Sequence, residues 1–241
     1  MILTSWDDGH PLDLRIGEML IKHGLAGTFF VPIQNREGDA VMTGAEMREL
    51  DSAHEVASHT RTHRYLLSCS SSDALAEIET GKQQLEDFLG HSVEGFCYPG
   101  GKFDQKISRM VRNAGFSYAR TVENLRIDFG QNLWEIPTTL QFYPHGPSTL
   151  LKNSARHWAF SKPTLILPRF RHRDFFAYAR YLAQYCVKSK AIFHLWGHSW
   201  EIEEFGLWAE LDNFFDFLGD LPCPSQTLRS AIKSHRNWTD S

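Results

Sequence analysis

The chain has 241 residues, of which 42% are hydrophobic, enough for one large α/β domain with a substantial core. Charged residues make up 22% and the formal net charge is -4. This balance argues against a nucleic-acid-binding protein, because such proteins are usually basic. No apolar stretch has the length of a membrane span, so we expect no stable membrane insertion.

Strands and helices are predicted to alternate along residues 1–241, and no linker or internal repeat divides them into domains. In chain order we predict a strand at 2–6, a helix at 12–20, a strand at 27–32, a helix at 43–50, a strand at 54–58, a helix at 72–89, a strand at 95–98, a helix after Asp104, a strand at 116–120, a helix at 174–187, a strand at 191–196 and a helix at 207–218. The stretch 126–168 is rich in Pro, His and aromatic residues, and it predicts long loops with short strands. The β-α-β-α order favours a mainly parallel sheet or barrel.

Several helix boundaries carry specific signals. Thr43 and Glu46 have the spacing of a capping box, and Asp104 has the position of an N-cap. Gly90 is placed to end the helix at 72–89. The predicted inner stripe of that helix is Leu75, Ile78, Leu85 and Phe88.

The first residues of the chain and its cysteines give information about the cellular compartment of the protein. Met1 is followed by an apolar run and then by acidic residues, so no signal peptide is predicted. The four cysteines include no C-x-x-C pair, and we expect them to be reduced. Together these features predict a cytoplasmic protein, although the mature form of a processed precursor would begin in the same way.

Polar, titratable residues follow four of the predicted strands. They are Asp7 and Asp8 after the first strand, residues 58–63 (S-H-T-R-T-H) after the third, residues 98–101 (Y-P-G-G) after the fourth, and His194 and His198 in and after the last. In barrels and open α/β sheets, functional sites gather at the carboxyl ends of the strands. The pattern therefore indicates a site at that end of the fold.

His59 and His63 are four residues apart, a spacing that places two imidazoles on one side of a helical turn. Zn²⁺ accepts imidazole nitrogen together with carboxylate oxygen, and two histidines with one aspartate leave coordination positions open for chemistry. The alternative is a pair of exposed histidines at the start of a helix.

The adjacent carboxylates of Asp7 and Asp8 repel one another, and a cation would offset that repulsion. One of them can bind a metal while the other acts as a general base. Without the two histidines, a simple Asx-type turn would be the preferred interpretation.

His198, just past the last strand, is the candidate general acid for a leaving group. His194 is the alternative, but it lies inside the apolar run A-I-F-H-L-W, where a buried structural histidine is expected.

These motifs resemble the NodB-homology polysaccharide deacetylases, a family of metal-dependent carbohydrate esterases. The matching segments, in the family's order, are 5–9 (S-W-D-D-G), 27–31 (G-T-F-F-V), 58–63 (S-H-T-R-T-H), 96–101 (F-C-Y-P-G-G) and 193–198 (F-H-L-W-G-H). The first and third of these segments are specific as a pair. The resemblance spans residues 1 to about 200.

The resemblance implies a distorted (β/α) barrel with about seven parallel strands, in which an N-acetyl group is hydrolysed from an amino sugar. It implies Asp7 as general base and His198 as general acid. It also implies Asp8, His59 and His63 as ligands of one divalent metal ion. Zn²⁺ is the default for this ligand set, and Co²⁺, Ni²⁺ and Fe²⁺ also suit it. A backbone N–H near Tyr98 would help to hold the oxyanion.

The chain also departs from the family pattern. The third motif often carries an arginine that pairs with the catalytic aspartate, and here Cys97, Tyr98 and Gly101 occupy that segment. Arg120 and Lys102 are candidate replacements near the site, with a solvated surface position as the alternative for both. Arg120 and His194 are also candidates for contact with the substrate.

No Asp-x-x-Asp-Trp motif is present to form the usual wall of the sugar site. The stretch 140–147, with Tyr143 and His145, is a candidate for that wall. Trp134 and Trp200 lie near predicted strand ends, where an indole ring could stack on a sugar.

Three functions are compatible with this sequence. The first is deacetylation of an N-acetylated sugar, for which the predicted location favours a nucleotide- or lipid-linked intermediate of surface polysaccharide biosynthesis. The second is a related amidase or deformylase acting on a non-sugar C–N bond. The third is a non-catalytic sugar-binding relative, against which the intact aspartate and histidine motifs argue.

Overall fold

The computed structural model describes residues 1–144, 163–172 and 174–239, and this part of the chain forms one parallel eight-stranded sheet with helices packed around it. The strands are β1 (Ile2–Asp7), β2 (Thr28–Val31), β3 (Glu55–Ser58), β4 (Gly95–Cys97), β5 (Tyr118–Arg120), β6 (Leu140–Gln141), β7 (Phe193–Gly197) and β8 (Ser225–Gln226). The α-helices are α1 (Asp13–Lys22), α2 (Gly44–Asp51), α3 (Ser71–Leu89), α4 (Gln105–Asn113), α5 (Pro163–Arg171), α6 (Phe175–Lys188), α7 (Ser199–Glu204), α8 (Trp208–Gly219) and α9 (Leu228–Thr239).

The sheet curls into a distorted barrel, which confirms the predicted fold. Its strands lie in the order β5-β4-β3-β2-β1-β7-β6, and β8 pairs with the start of β1. Between β5 and β6 the barrel is closed by an irregular segment. The N–H of Ile136 donates to Ala119 O at 2.9 Å on the β5 side, and the N–H of Thr139 donates to His194 O at 2.9 Å on the β7 side.

Every residue of β1 is buried, because one face of the strand meets helices and the other faces the barrel interior. Trp6 packs with the helices in the larger core cluster. Leu3 instead belongs to an interior cluster with inward-facing residues of the neighbouring strands, namely Phe30, Ala57, Cys97 and Tyr118. The same alternation turns Asp7 inward at the carboxyl end of β1.

Helix α9 closes the opposite end of the barrel. Its residues Leu228, Ala231 and Ile232 join the interior cluster. The buried carboxylate of Glu55 accepts a hydrogen bond from the N–H of Arg229 at 2.9 Å, in the first turn of this helix. A carboxylate at a helix N-terminus satisfies an otherwise unpaired N–H group and complements the helix dipole.

Most predicted elements are confirmed, including the capping box at Thr43 and the left-handed C-cap at Gly90. Phe88, however, is an exposed side chain rather than part of the inner stripe of α3. The end of the stretch predicted as loops forms α5, because a proline is tolerated in the first turn of a helix and Pro163 begins this one. Helices α7 and α9 and strand β8 were not predicted from the sequence.

No helix in the described ranges combines the length and apolar character needed to cross a bilayer. None of the four cysteines forms a disulfide bond.

Candidate active site

The Asp-Asp-Gly segment forms a sharp turn where β1 ends. Asp8 and Gly9 both have left-handed backbone conformations, with φ of 77° and 61°. Such a conformation costs a non-glycine residue roughly 1–2 kcal/mol. A Cβ atom at Gly9 would lie 2.5 Å from Val31 Cγ1, so only glycine fits there. The turn lets neighbouring carboxylates contact different groups.

Asp8, His59 and His63 converge at the carboxyl ends of β1 and β3. Asp8 Oδ1 lies 3.1 Å from His63 Nε2 and 3.6 Å from His59 Nε2. One potential ligand atom from each of the three residues lies within 4.8 Å of the others. This arrangement of two imidazoles and one carboxylate fits a single divalent cation.

Hydrogen bonds orient the two histidines. His59 Nδ1 donates to Cys97 O at 2.9 Å, which fixes its tautomer and leaves Nε2 facing Asp8. Burial disfavours the charged form of Asp8, but the interactions of its carboxylate with His59 and His63, and then the charge of His198, outweigh it, so the pKa of Asp8 lies far below its usual range. Burial lowers the pKa of His63, yet the hydrogen bond to Asp8 and nearby negative charge raise it overall.

Asp7, the second carboxylate of the turn, pairs with Arg120 instead. Both side chains are almost fully buried, and Arg120 donates to Asp7 Oδ1. The guanidinium carbon lies 5.0 Å from the ring centroid of Phe30 and 5.1 Å from that of Trp196. Burial lowers the pKa of Arg120, but the charge of Asp7 more than compensates and raises it.

His198 lies on the other side of Asp8, its Nε2 3.8 Å from Asp8 Oδ2. Its Nδ1 donates to Glu201 Oε2 at 2.7 Å, one turn further along α7. Burial lowers the pKa of His198, but the bond to Glu201 and the charges of Asp8 and Asp7 raise it to about 9. His198 is therefore protonated near neutral pH and can donate a proton from Nε2.

The indole of Trp200 completes this side of the site. Its Nε1 donates to Asp8 Oδ2 at 2.9 Å, and its ring centroid lies 5.3 Å from that of His198. The side chain is only half-buried. Substrate contact by Trp200 remains a prediction.

Residues 1–119 match the family model described as polysaccharide deacetylase. This part of the chain, just under half of its length, is therefore similar to polysaccharide deacetylases. The chain is also 25% identical over 139 residues to chitin deacetylase 1 of Cryptococcus neoformans var. grubii. That match covers 55% of this chain but only 28% of the curated relative, so the chain spans less than a third of that protein's length.

Two solved structures share the polysaccharide deacetylase fold seen here. A Mycobacterium smegmatis protein described as a polysaccharide deacetylase aligns with a TM-score of 0.66 and 15% identity, covering 99% of this chain and 91% of its own. Deacetylase PplD of Streptococcus pyogenes aligns with a TM-score of 0.53 and 19% identity, covering 62% of this chain and 68% of its own.

The position of Arg120 resolves the departure from the third deacetylase motif. Cys97 on β4 is the cross-strand partner of Arg120 on β5, so the arginine enters the site from the neighbouring strand at the same level. Arg120 is thereby confirmed as the partner of Asp7. Because its side chain is fully buried, the expected substrate contact by Arg120 is wrong, and so is the solvated alternative. Lys102 instead lies 4.1 Å above the ring of Tyr65.

The expectations for Tyr98 and His194 are also corrected. The Tyr98 N–H points to Arg120 O at 3.4 Å in the ladder between β4 and β5, and its buried hydroxyl donates to Trp134 O. His194 is buried as well, with Nδ1 donating to Pro137 O and Nε2 accepting from the Ser5 hydroxyl. Both ring nitrogens of His194 are occupied, so it is a structural group and not the general acid.

The other aromatic candidates for the sugar site make packing contacts within the fold. The Trp134 indole donates to Phe116 O and lies under the guanidinium of Arg112, so its faces are engaged in packing. The ring of Tyr143 packs edge-on against Phe205. His145 lies outside the described residues.

Two positioning carboxyl groups were missed from the sequence. Glu201 orients His198, and its H-x-x-E spacing on a helix was the available signal. Asp13 is fully buried and accepts from the Ser199 hydroxyl at 2.5 Å, next to His198. Burial raises the pKa of Asp13 well above its usual range, and its hydrogen bond with Ser199 anchors the start of α7.

The buried His194 is expected to make the stability of the fold decrease at acidic pH. Burial, then the charge of Arg120, lowers its pKa to about 3, whereas an unfolded histidine titrates near 6.5. Between these values only the unfolded chain binds the proton, so stability decreases as pH falls from about 6.5 to 3. We expect His194 to account for a decrease of about 3 kcal/mol in the free energy of unfolding between pH 7 and pH 4.

Urea unfolding of wild type and His194→Gln at pH 7 and pH 4 tests this expectation. The variant should lose less stability than wild type over the same interval, because glutamine does not titrate. Equal losses in the two proteins would contradict the low pKa of His194.

Proposed function

We propose that this chain is a divalent-metal-dependent hydrolase that removes the N-acetyl group from an amino sugar. The observation that carries the proposal is the convergence of Asp8, His59 and His63, flanked by an arginine-paired aspartate and a carboxylate-paired histidine. A structural ion-pair network would not need an imidazole, only partly exposed, to be held protonated beside three potential metal ligands.

Asp8, His59 and His63 are the residues that would hold the metal. The nitrogen and oxygen donors suit Zn²⁺ first, and also Co²⁺, Ni²⁺ and Fe²⁺. His59 donates its second ring nitrogen to a backbone carbonyl, as ligating histidines usually do. When bound, the ion would supply Lewis acidity to a water molecule and to the acetyl carbonyl.

The other groups divide the proton transfers between them. Asp7, held in place by Arg120, accepts a proton from the attacking water. His198 donates its Nε2 proton to the amide nitrogen as the C–N bond breaks. Glu201 holds the imidazole in the orientation for this transfer by accepting a hydrogen bond from Nδ1. Water and the amide are thereby converted into acetate and the free amine of the sugar.

The substrate class is supported by the family match and by the curated relative named for chitin. The half-exposed Trp200 beside Asp8 offers a ring on which a pyranose can stack. Within this class we propose a nucleotide- or lipid-linked sugar of surface polysaccharide biosynthesis.

The proposal predicts that His59→Ala loses both the metal and the activity. Wild type should contain about one divalent ion per chain by elemental analysis and release acetate from a panel of N-acetylated nucleotide sugars, lipid-linked sugars and chitin oligomers. His59→Ala should retain less than about a tenth of the metal, because one of three ligands is gone.

His91→Ala is the matched control, since His91 pairs with Asp51 and is no part of the metal cluster. It should behave as wild type. Release of formate or ammonia from non-sugar amides, in place of acetate, would identify the amidase or deformylase alternative. Sugar binding without turnover in metal-loaded protein would identify a non-catalytic relative.

A further inference from the structure

The loop that carries His59 and His63 lies directly against one turn of helix α3. Three hydrogen bonds join them. The Arg61 N–H donates to the main-chain O of Glu77 at 2.9 Å, and the Thr62 N–H and hydroxyl donate to the two carboxylate oxygens of Glu77, each at 2.8 Å. The Glu77 side chain is almost fully buried. Its carboxylate therefore holds the residue that immediately precedes His63.

Gly81 permits this close contact. A Cβ atom at this position would lie 2.7 Å from Arg61 N and 2.8 Å from the carbonyl carbon of Thr60. These are backbone atoms that cannot rotate away, so the loop reaches the Glu77 carboxylate only because position 81 has no side chain.

The opposite side of the loop is held by the segment after β2. The N–H groups of Ile33 and Gln34 both donate to Arg61 O, at 3.0 and 2.9 Å. Loop residues Thr60 and His63 adopt left-handed conformations, with φ of 69° and 54°. Such conformations persist only where surrounding contacts impose them.

The side chains of the loop do not themselves account for its shape. Within the described residues, Thr60 Oγ1 has no hydrogen-bond partner, and His63 Nδ1 has only the carboxylate of Glu37 at 3.6 Å, beyond hydrogen-bond distance. The conformation of the loop is thus imposed from outside, and Glu77 supplies the two side-chain hydrogen bonds nearest to His63.

We propose that Glu77 is a positioning residue for the metal site, which fixes Thr62 and through it the direction of the His63 imidazole. This inference rests on the proposed function, because it requires that Asp8, His59 and His63 bind a divalent ion. Loss of the Glu77 carboxylate should weaken metal binding and loosen the coordination geometry, even in protein that remains folded.

The test is titration of metal-free protein with Co²⁺, followed by its visible absorption. Glu77→Ala should weaken the Co²⁺ dissociation constant by about 10- to 100-fold and change the intensity of the d–d bands. Glu77→Gln should stay within about threefold of wild type, since its amide oxygen accepts from the Thr62 N–H and its NH₂ donates to the hydroxyl. Glu79→Ala, an exposed position on the same helix, is the matched control and should match wild type.

Thermal unfolding of the metal-free variants separates positioning from general stability. If Glu77→Ala lowers the unfolding temperature but binds Co²⁺ with the wild-type constant and spectrum, the proposal is overturned. Equal impairment of the Gln and Ala variants would overturn it as well. If Glu77→Ala does not fold, Thr62→Val carries the test, because it loses one of the two bonds and should weaken Co²⁺ binding severalfold. If wild-type protein bound no Co²⁺, the proposed metal-dependent function, on which this inference rests, would itself be contradicted.

Discussion

Replacing Asp7 by asparagine will lower the rate of acetate release by about 10³-fold while leaving the metal content unchanged. The amide cannot accept the proton of the attacking water, whereas the proposed ligands Asp8, His59 and His63 are untouched. The measurement is the initial rate of acetate release together with elemental analysis of the same preparation.

The Asp7→Asn variant also breaks a buried ion pair, so its folding must be measured separately. Arg120 would keep an acceptor in the asparagine carbonyl but lose its counter-charge, which costs about 3–5 kcal/mol when a buried pair is broken. Asp104→Asn is an isosteric control, because asparagine caps helix α4 as well as aspartate does. A folded, metal-loaded Asp7→Asn variant with the wild-type rate would refute the assignment of Asp7 as the base.

The second large effect is expected at His198. His198→Ala should reduce the rate by about 10²- to 10⁴-fold, because the leaving amine then departs without a proton donor. The protonated form is the active one, so kcat/KM of wild type should fall as pH rises toward the raised pKa of about 9. A bound cation disfavours the protonated imidazole of His198. The alkaline decrease in kcat/KM is therefore expected at a pH below that pKa.

Glu201→Gln tests the same assignment without removing the imidazole. It removes the negative charge that helps to raise the pKa of His198, so the alkaline limb of the profile should move to lower pH. His194→Ala should retain the shape of the wild-type profile, because His194 is neutral and buried. If His194→Ala were inactive and His198→Ala nearly normal, the two assignments would have to be exchanged.

The fold and the convergence of Asp8, His59 and His63 could be predicted because they depend on local patterns. Alternation of apolar runs and amphipathic segments indicates a parallel sheet, and polar residues that follow buried strands meet at one end of it. Asp8, His59 and His63 each follow such a strand, so their proximity needs only the fold class and not its detailed register.

The partner of Asp7 could not be selected in this way. Whether Arg120 or Lys102 reaches the aspartate depends on the register between β4 and β5, which places Cys97 beside Arg120. Glu201 was missed for a different reason. Helix α7 is a single short element of six residues, too brief for a clear apolar period.

The closure of the barrel by α9 determines how a substrate of the proposed class could reach this site. In the part of the chain that the structure describes, Leu228, Ala231 and Ile232 fill the interior beneath Asp8, His59 and His63, so these three residues are reached from the rim at the carboxyl ends of the strands. Under the proposed function, a glycan cannot thread through the barrel, so each sugar would be presented from the side at this rim. Acetate would then leave by the route through which the sugar entered.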